Sequence, residues 1–483
     1  MFSVKQPATD IVRTLRESGF QAYLVGGCVR DLLLEREPAD YDVATDATPL
    51  QVMRIFPQTY AVGAQFGVVL VPLKADTTKD TKVHEGSRTR EAEYPGERII
   101  PGTVGSSGWA RYLFLSPGLR KSVEVATFRS DIGYSDGRHP DEVRFSKDPR
   151  EDVQRRDFTI NGLLMDPITG EVLDYVGGRD DLKAGIIRAI GEPERRFAED
   201  KLRMLRAVRF AARFGYAIEP KTFSAIQRHA PDIRQVSRER VREELTKMLT
   251  EGRAKRAFEL LDETGLLEQV LPEISAMKGV EQPPQFHPEG DVFVHTLLLL
   301  DKLPAGCSKT LAWGALLHDV GKPPTFRVAP DRIRFDGHVE IGVKMAEEIC
   351  NRLRFSGDET QQILALVDNH MRFADVRKMN PSTLKRFLRL PRLDEHLELH
   401  RIDCLSSHGQ LGSYEYAREK LRDTPAAEIR PKPLITGQDL IQAGYEPGPR
   451  FKEILTAVED AQLEGKLTSG ERAMEFVRDE FPL

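Results

Sequence analysis

Cysteine is scarce in this 483-residue chain: Cys28, Cys307, Cys350 and Cys404 are scattered, with no C-x-x-C pair among them. That excludes a disulfide framework and a zinc knuckle, and it fits a reducing compartment. Long apolar runs are missing too, since none approaches the ~20 residues of a membrane span. The opening "MFSVKQPATD" lacks the apolar core of a signal peptide. A cytoplasmic protein with no membrane partner is therefore expected. Nor is there an excess of positive charge: 70 Lys and Arg stand against 75 Asp and Glu, a net charge of −5. Any nucleic-acid contact must then be built locally. What is present, 40% hydrophobic and 30% charged residues, describes a soluble globular protein, and the length suggests about three domains.

From Phe2 to about Asp166 the chain alternates helix and strand signals. An amphipathic helix around "ATDIVRTLRESG" precedes the strand "AYLVGG", the helix "VRDLLLE" and the strand "DYDVAT"; "GVVLVPL" and "SVEVATF" read as two neighbouring strands. Between these two lies a polar stretch from Lys74 to Lys121, read either as a disordered insertion or as an RNA-contacting one. After Asp166 strand signals fade and helices dominate, and no short-period repeat is visible.

The stretch "YLVGGCVRDLLLEREPADYDVAT" carries the first chemistry. A strand alternates its side chains, so Asp40 and Asp42 point the same way while Tyr41 and Val43 point to the other face. Two bare carboxylates repel, and a divalent cation removes that penalty; all-oxygen ligands suit Mg²⁺, with substrate phosphates completing the shell. Gly26 and Gly27 form the turn into a helix, where backbone N–H groups and Arg30 are placed to hold a triphosphate. Glu124, in "SVEVATF", reads either as a third carboxylate near the metals or as a charge on an exposed face.

Two later segments carry more. In "EDVQRRDFTINGLLMD", Asp157 and Asn161 are four apart on an expected helix, where they share a face and can bond a ribose hydroxyl; Arg155 and Arg156 suit phosphate. From Arg188 to Arg213 eight basic residues stand against four acidic ones. There Leu202, Leu205 and Val208 form a narrow apolar stripe with arginines winding beside it. Asp200 and Arg203 are neighbours on one helix face, and a carboxylate acceptor beside a guanidinium donor imitates a Watson–Crick edge. Cytosine and adenine both present an amino group next to an acceptor, so one such pair selects CTP and ATP over UTP and GTP.

The opening motif resembles the nucleotidyltransferases of the DNA polymerase β superfamily, in the branch of the bacterial CCA-adding enzymes and poly(A) polymerases. "RRDFTIN" resembles that family's R-R-D-x-x-x-N motif, and "EDKLR" resembles the E-D-x-x-R motif of class II CCA-adding enzymes, in which protein side chains act as the template. On this resemblance Asp200 and Arg203 read the base and Arg206 and Arg209 assist in binding the nucleotide. "SRERVREELTKML" resembles the last helical motif, with Ser237, Glu239 and Arg240 bracing the neck. The C-terminal "PLITGQDLIQAGYEPGPRFKEILTAVEDAQLEGKL" resembles the family's tail, with Gly444, Gly448 and Pro449 forming a turn before a helix near Phe451. That turn reads equally as a plain connection or as support for helices that grip tRNA.

A further constellation lies between. His295 sits in an apolar helix, "LLHDVGK" supplies His318 and Asp319 as an adjacent pair on a helix, and Asp403 follows in "LHRIDCLSSHG". This resembles the H…HD…D signature of HD-domain phosphohydrolases, and its mixed imidazole and carboxylate ligands suit a transition metal such as Ni²⁺, Mn²⁺ or Co²⁺. His338, His370 and His408 read as ordinary core residues, although His338 and His370 are placed to line the same pocket.

The resemblance implies an α+β fold: a small mixed β-sheet nucleotidyltransferase head over 1–166 with the insertion at 74–121, then an elongated, all-helical remainder. That remainder divides into a base-selecting neck at 167–250, a body with the HD domain at 251–425, and a tRNA-binding tail at 426–483. It implies addition of C, C and A to the tRNA 3′ end from CTP and ATP, with release of pyrophosphate, Mg²⁺ at the head site and a phosphohydrolase activity at the HD site. A poly(A) polymerase or an A-adding enzyme shares the head motifs, and Arg138 and Asp141 in "RSDIGYSDGRHPDEVRF" are placed to drive a switch from C to A. A tRNA-recruiting protein with dead sites is disfavoured, because both Asp40 and Asp42 are present.

Overall fold

Apolar residues at Ala8, Ile11, Val12 and Leu15 recur at helical spacing, and Lys5–Glu17 form helix α1, which buries all four. The computed structural model describes residues 5–63, 66–73, 122–133, 142–285, 287–288, 290–330 and 332–483. The expected insertion at 74–121 lies outside the described residues, as do Arg138 and Asp141. Two compact units make up the chain, Met1–Arg240 and Val241–Leu483.

The first unit is built on a mixed sheet. In chain order its elements are β1 (Ala22–Val25), α2 (Gly27–Leu33), β2 (Asp42–Thr45), α3 (Pro49–Ile55), β3 (Tyr60–Gly63), β4 (Val68–Pro72) and β5 (Ser122–Thr127). The hairpin β6 (Arg129–Ile132) and β7 (Glu142–Phe145) follows, then α4 (Pro149–Gln154), β8 (Leu163–Met165) and β9 (Val172–Asp174). Seven strands run in the order β3-β4-β5-β2-β1-β8-β9. Only β2 and β5 pair in parallel; the rest of this sheet is antiparallel. Strand β9 lies past Asp166, where the sequence shows helical signals alone, because three residues are too few to display a period of two.

Register explains how buried strands tolerate acidic residues. Leu24 pairs with Val43, Val43 with Val125 and Val125 with Val69, and this apolar row belongs to the core that buries Ile11, Val12 and Leu15. The neighbouring row, Asp42 beside Glu124, points to the opposite face, where Ala44, Phe128 and Val153 form a smaller cluster. One face is core; the other is free for chemistry.

Helices α5 (Gly178–Ala184), α6 (Pro193–Glu199), α7 (Leu202–Phe214) and α8 (Pro220–His229) complete the first unit. Around α7 the burial is nearly all-round, taking in Met204, Ala207, Phe210 and Ala211 as well as the expected Leu202, Leu205 and Val208. The stripe is therefore wider than the sequence spacing suggests. Helix α9 (Arg238–Thr250) carries the chain into the second unit, whose described residues are helical apart from one two-stranded hairpin, β10 (Arg327–Val328) and β11 (Ile333–Arg334).

In the second unit α10 (Ala254–Glu263), α11 (Val292–Asp301), α12 (Lys309–Leu317), α13 (His338–Arg352), α14 (Gly357–Asn369), α15 (Pro381–Leu388) and α16 (Leu393–Ser406) form a bundle. Helices α12 and α14 pack closely at Gly314, where a Cβ would lie 2.6 Å from the Leu366 side chain. The C-terminal helices α17 (Pro449–Leu463) and α18 (Gly470–Glu480) share a separate core with Leu440, Tyr445, Ile454 and Val477. Among the described residues no helix is long and apolar enough to cross a membrane.

Candidate active site and metal centre

In the first unit three carboxylates converge. Asp42 and Glu124 are register partners on adjacent parallel strands, and the charge of Asp40 reaches both. Asp40 lies outside the strand in which the sequence placed it: β2 starts at Asp42, level with Val25, where its partner β1 ends and the chain turns into α2. Asp40 is exposed and Asp42 half-buried. Burial and the adjacent Glu124 push the Asp42 carboxyl up to about 7, and burial also raises Glu124. Such crowding of oxygen donors is uneconomical without a cation, and the set fits a divalent metal.

Beside the acids lies the glycine turn. Gly26 has φ 76°, a conformation that L side chains rarely adopt, and a Cβ there would lie 3.1 Å from Nη1 of Arg156. Arg156 thus faces both the turn and the acids, since its charge opposes the rise at Asp42 and at Glu124. Arg30 is buried; its Nη1 donates to Asn161 Oδ1 at 2.7 Å and its Nη2 to Asp31 at 2.7 Å, and its guanidinium lies 4.7 Å from the Phe214 ring centre.

The segment carrying Asp157 and Asn161 is not the expected helix. Helix α4 stops at Gln154, and a 3-10 turn covers Thr159–Asn161, closed by Gly162. Asp157 and Asn161 meet nonetheless, Asn161 Nδ2 donating to Asp157 Oδ1 at 3.0 Å. Arg206 donates twice to Asp157 Oδ2, at 2.8 and 2.6 Å. Burial would raise the Asp157 carboxyl, but Arg206 and these hydrogen bonds hold it near 2.

Asp200 and Arg203 also differ from expectation. They do not lie along one helix: Asp200 has extended backbone between α6 and α7, and its Oδ1 accepts from the Leu202 N–H at 3.1 Å. An aspartate that caps the following helix breaks the one before it. Its carboxylate is fixed a second time by Arg240 at 2.9 Å. Arg203 is buried, pairs with Glu199 at 2.8 Å and donates from Nη2 to the Arg155 carbonyl at 3.0 Å. Arg209 is buried too, 4.3 Å from the Phe210 ring centre. Ser237 is exposed, while Glu239 sits in the first turn of α9.

The second unit gathers imidazoles around one carboxylate. His318 and Asp319 lie just past the end of α12 rather than on it, because the following "GKPP" cannot continue the helix. His318 Nε2 is 3.2 Å from Asp319 Oδ2, and His295 Nε2 is 3.9 Å from the same oxygen and 3.1 Å from Asp403 Oδ1. On the other side His370 Nε2 is 3.7 Å and His338 Nε2 4.0 Å from Asp319 Oδ1. Two triads thus share Asp319: one with His295 and His318, one with His338 and His370.

In three of these rings Nδ1 is committed to a backbone carbonyl: His318 to Ala315 at 2.8 Å, His338 to Phe335 at 3.0 Å and His370 to Val367 at 2.6 Å. A carbonyl accepts only from N–H, so each Nε2 keeps its lone pair for a metal. Burial lowers His370 to about 4 and lowers His338, which keeps both neutral. The donor set fits a divalent ion. A cavity of about 510 Å³ opens on it, lined in part by His338, His370, Asp403, Lys322 and Phe335. Sequence reasoning placed His338 and His370 near the pocket but not as ligands, because each sits at a helix end, outside the periodic pattern.

Comparison with known proteins finds relatives of both sites. Residues 22–101 and 113–188 match the poly A polymerase head domain, residues 215–278 the "Probable RNA and SrmB- binding site of polymerase A", and residues 292–406 the HD domain. The chain is 40% identical to the CCA-adding enzyme of Geobacillus stearothermophilus over 54% of this chain and 53% of that one, and so spans about half the length of that relative. It is 29% identical to the CCA-adding enzyme of Bacillus subtilis over 97% of this chain and 96% of the other. The crystal structure of a Bacillus stearothermophilus CCA-adding enzyme in complex with CTP superposes with a TM-score of 0.69 at 27% identity, covering 99% of both chains. A Thermotoga maritima CCA-adding enzyme complexed with tRNA shares the fold, with a TM-score of 0.56 at 18% identity. Motifs, domain order and backbone point the same way: this chain carries a poly A polymerase head domain and an HD domain, and along its length it is similar to CCA-adding enzymes.

Proposed function

We propose that the protein is a CCA-adding tRNA nucleotidyltransferase, which extends a tRNA 3′ end by C, C and A from CTP and ATP without a nucleic-acid template, in the cytoplasm. The observation that carries this reading is the tie between Arg203 and the Arg155 carbonyl: it joins a carboxylate–guanidinium base reader to the segment that faces the acids and the glycine turn. Asp40, Asp42 and Glu124 would hold Mg²⁺, whose Lewis acidity would be available to the primer 3′-OH and to the charge on the leaving pyrophosphate. Arg155, Arg156 and the backbone at Gly26 and Gly27 bind the triphosphate, with Arg30 buttressing the turn from below. Asn161 and Asp157 take the ribose, and Arg206 and Arg209 hold that platform against α7. Asp200, oriented by Arg240 and the Leu202 N–H, accepts from the exocyclic amino group; Arg203 donates to the neighbouring ring acceptor. The regions 1–166, 167–250, 251–425 and 426–483 act as head, neck, body and tail.

The test is incubation with tRNA lacking its 3′ end, given CTP alone, ATP alone or both. Two C residues with CTP and a complete CCA with both support the reading. Addition of A alone identifies an A-adding enzyme, and a long A tail identifies a poly(A) polymerase.

The arrangement around Asp319 favours a second activity, metal-dependent phosphoester hydrolysis at RNA ends, on 2′,3′-cyclic or 2′-phosphates. His295, His318, Asp319 and Asp403 would hold one Ni²⁺, Mn²⁺ or Co²⁺ ion, and His338 and His370 would complete a second donor set with Asp319. Failure of the metal-loaded protein to hydrolyse any of these esters would make the site a structural relic.

A further inference from the structure

Asp152 is fully buried, and nothing in the reading above uses it. A carboxylate taken out of water is costly unless each oxygen is met by charge and hydrogen bonds. Here each oxygen receives its own arginine. Oδ1 accepts from Arg155 at 2.9 and 2.6 Å, and Oδ2 accepts from Arg156 at 3.3 and 3.0 Å. Those two guanidiniums repel one another and would otherwise sample many rotamers. One buried acid removes both problems.

The acid is itself rigidly placed. Helix α4 begins on Pro149 and is capped by Asp148, whose side chain accepts from the Arg150 N–H at 2.9 Å, and Val153 beside Asp152 packs in the sheet's second cluster. Arg156 then faces Gly26 and the acids, while the carbonyl that follows α4, on Arg155, accepts from Arg203. The Gln154 carbonyl accepts from Arg196 in the same way. One short helix therefore orients the groups facing the phosphate turn and also anchors the guanidinium assigned to the base.

We propose that Asp152 is a positioning residue for the nucleoside triphosphate, locking Arg156 against the Gly26 turn and holding Arg155 on its other oxygen, so that the phosphates meet a preformed cation pair. This rests on the assignment of the turn to the triphosphate. It goes further by placing the control of phosphate affinity in a residue that no substrate can touch. The isostere Asp152→Asn keeps the shape and removes the charge that pins the arginines.

The test is steady-state kinetics of Asp152→Asn with Mg²⁺, together with calorimetric binding of pyrophosphate, which probes the phosphate site alone and needs no turnover. KM for CTP and for ATP should rise together by about tenfold, the scale of one weakened charge-assisted contact, with kcat within about threefold. Pyrophosphate affinity should fall by the same factor, and preference for C and A over U and G should persist. In a second arm, Arg156→Gln should give the same loss, and adding Asp152→Asn to it should cost little more. Unchanged KM and pyrophosphate affinity, or a fall in kcat and melting temperature with KM unchanged, would overturn the proposal. So would full additivity of the two changes. If wild type adds no nucleotide but still binds pyrophosphate, the functional reading fails while the binding arm continues to decide the role of Asp152.

Discussion

Asp42 shows at the scale of one residue how a site is kept at the expense of the fold. Its folded value of about 7 lies above the ordinary 3.8, so the native state binds protons more tightly than the unfolded chain does. In metal-free protein the resulting penalty is absent below about pH 4, grows through the interval and is full above about pH 7. Asp42→Asn should therefore melt higher than wild type at pH 8 without metal, the difference vanishing near pH 4, while nucleotide addition is lost. Adding Mg²⁺ should raise the melting temperature of wild type and not of the variant. Asp157 has the opposite sign. With a folded value near 2, its pairing with Arg206 contributes about 2 kcal/mol that is complete above pH 4 and lost as pH falls towards 2. Denaturant titrations of Asp157→Asn should show that loss at pH 7 and a smaller one at pH 3. Residue types were legible from the sequence, since an acid pair, a glycine turn and an Asp-Arg spacing announce their chemistry. Partners were not: nothing in the spacing of Asp200 says that Arg240 holds it, or that Arg30 answers to Asn161.

At the scale of elements, strands read well where the apolar row was long enough to show alternation, as in β4 and β5. Helix continuity read poorly. The chain breaks at Asp200 and stops before Asp157 because a capping aspartate and the Asn161-Gly162 turn outweigh the helical spacing around them. The turn after α12 carries the strictest local demand. A Cβ on Gly321 would lie 2.0 Å from the His338 carbonyl oxygen and 2.6 Å from the Gly342 nitrogen, both backbone atoms that cannot swing aside. Gly321→Ala should push α13 away from the bundle, at a cost of about 3 kcal/mol, and carry His338 out of reach of Asp319. A drop in the melting temperature and in tightly bound Ni²⁺ or Mn²⁺ per chain, measured by elemental analysis, is expected. Unchanged metal content would remove His338 from the ligand set.

For the molecule as a whole, the near-neutral charge balance hides a strong segregation of function, which the sequence revealed only when read locally. The arginine-rich segment from Arg188 to Arg213 and the all-oxygen site belong to Met1–Arg240, and the imidazole-rich centre belongs to Val241–Leu483. Their donor atoms differ in kind: an all-oxygen set suits a hard divalent cation and an imidazole-rich set a borderline transition metal. Each centre is also complete within its own unit: every residue assigned to the nucleotide lies at or before Arg240, and every imidazole around Asp319 lies after Val241. Nothing in either donor set requires the other, so the two activities should separate by mutation. The double variant His318→Ala, Asp319→Ala is expected to lose phosphoester hydrolysis and bound transition metal while adding CCA at the wild-type rate. Asp42→Ala is expected to do the reverse, retaining hydrolysis and losing addition of both C and A by at least about 10³-fold, as befits loss of a ligand to the metal that assists phosphoryl transfer. Circular dichroism and melting curves decide whether each variant is folded before its activity is compared. A folded HD variant that no longer completes CCA would show the sites to be coupled, and the division of labour between the two units would then be wrong.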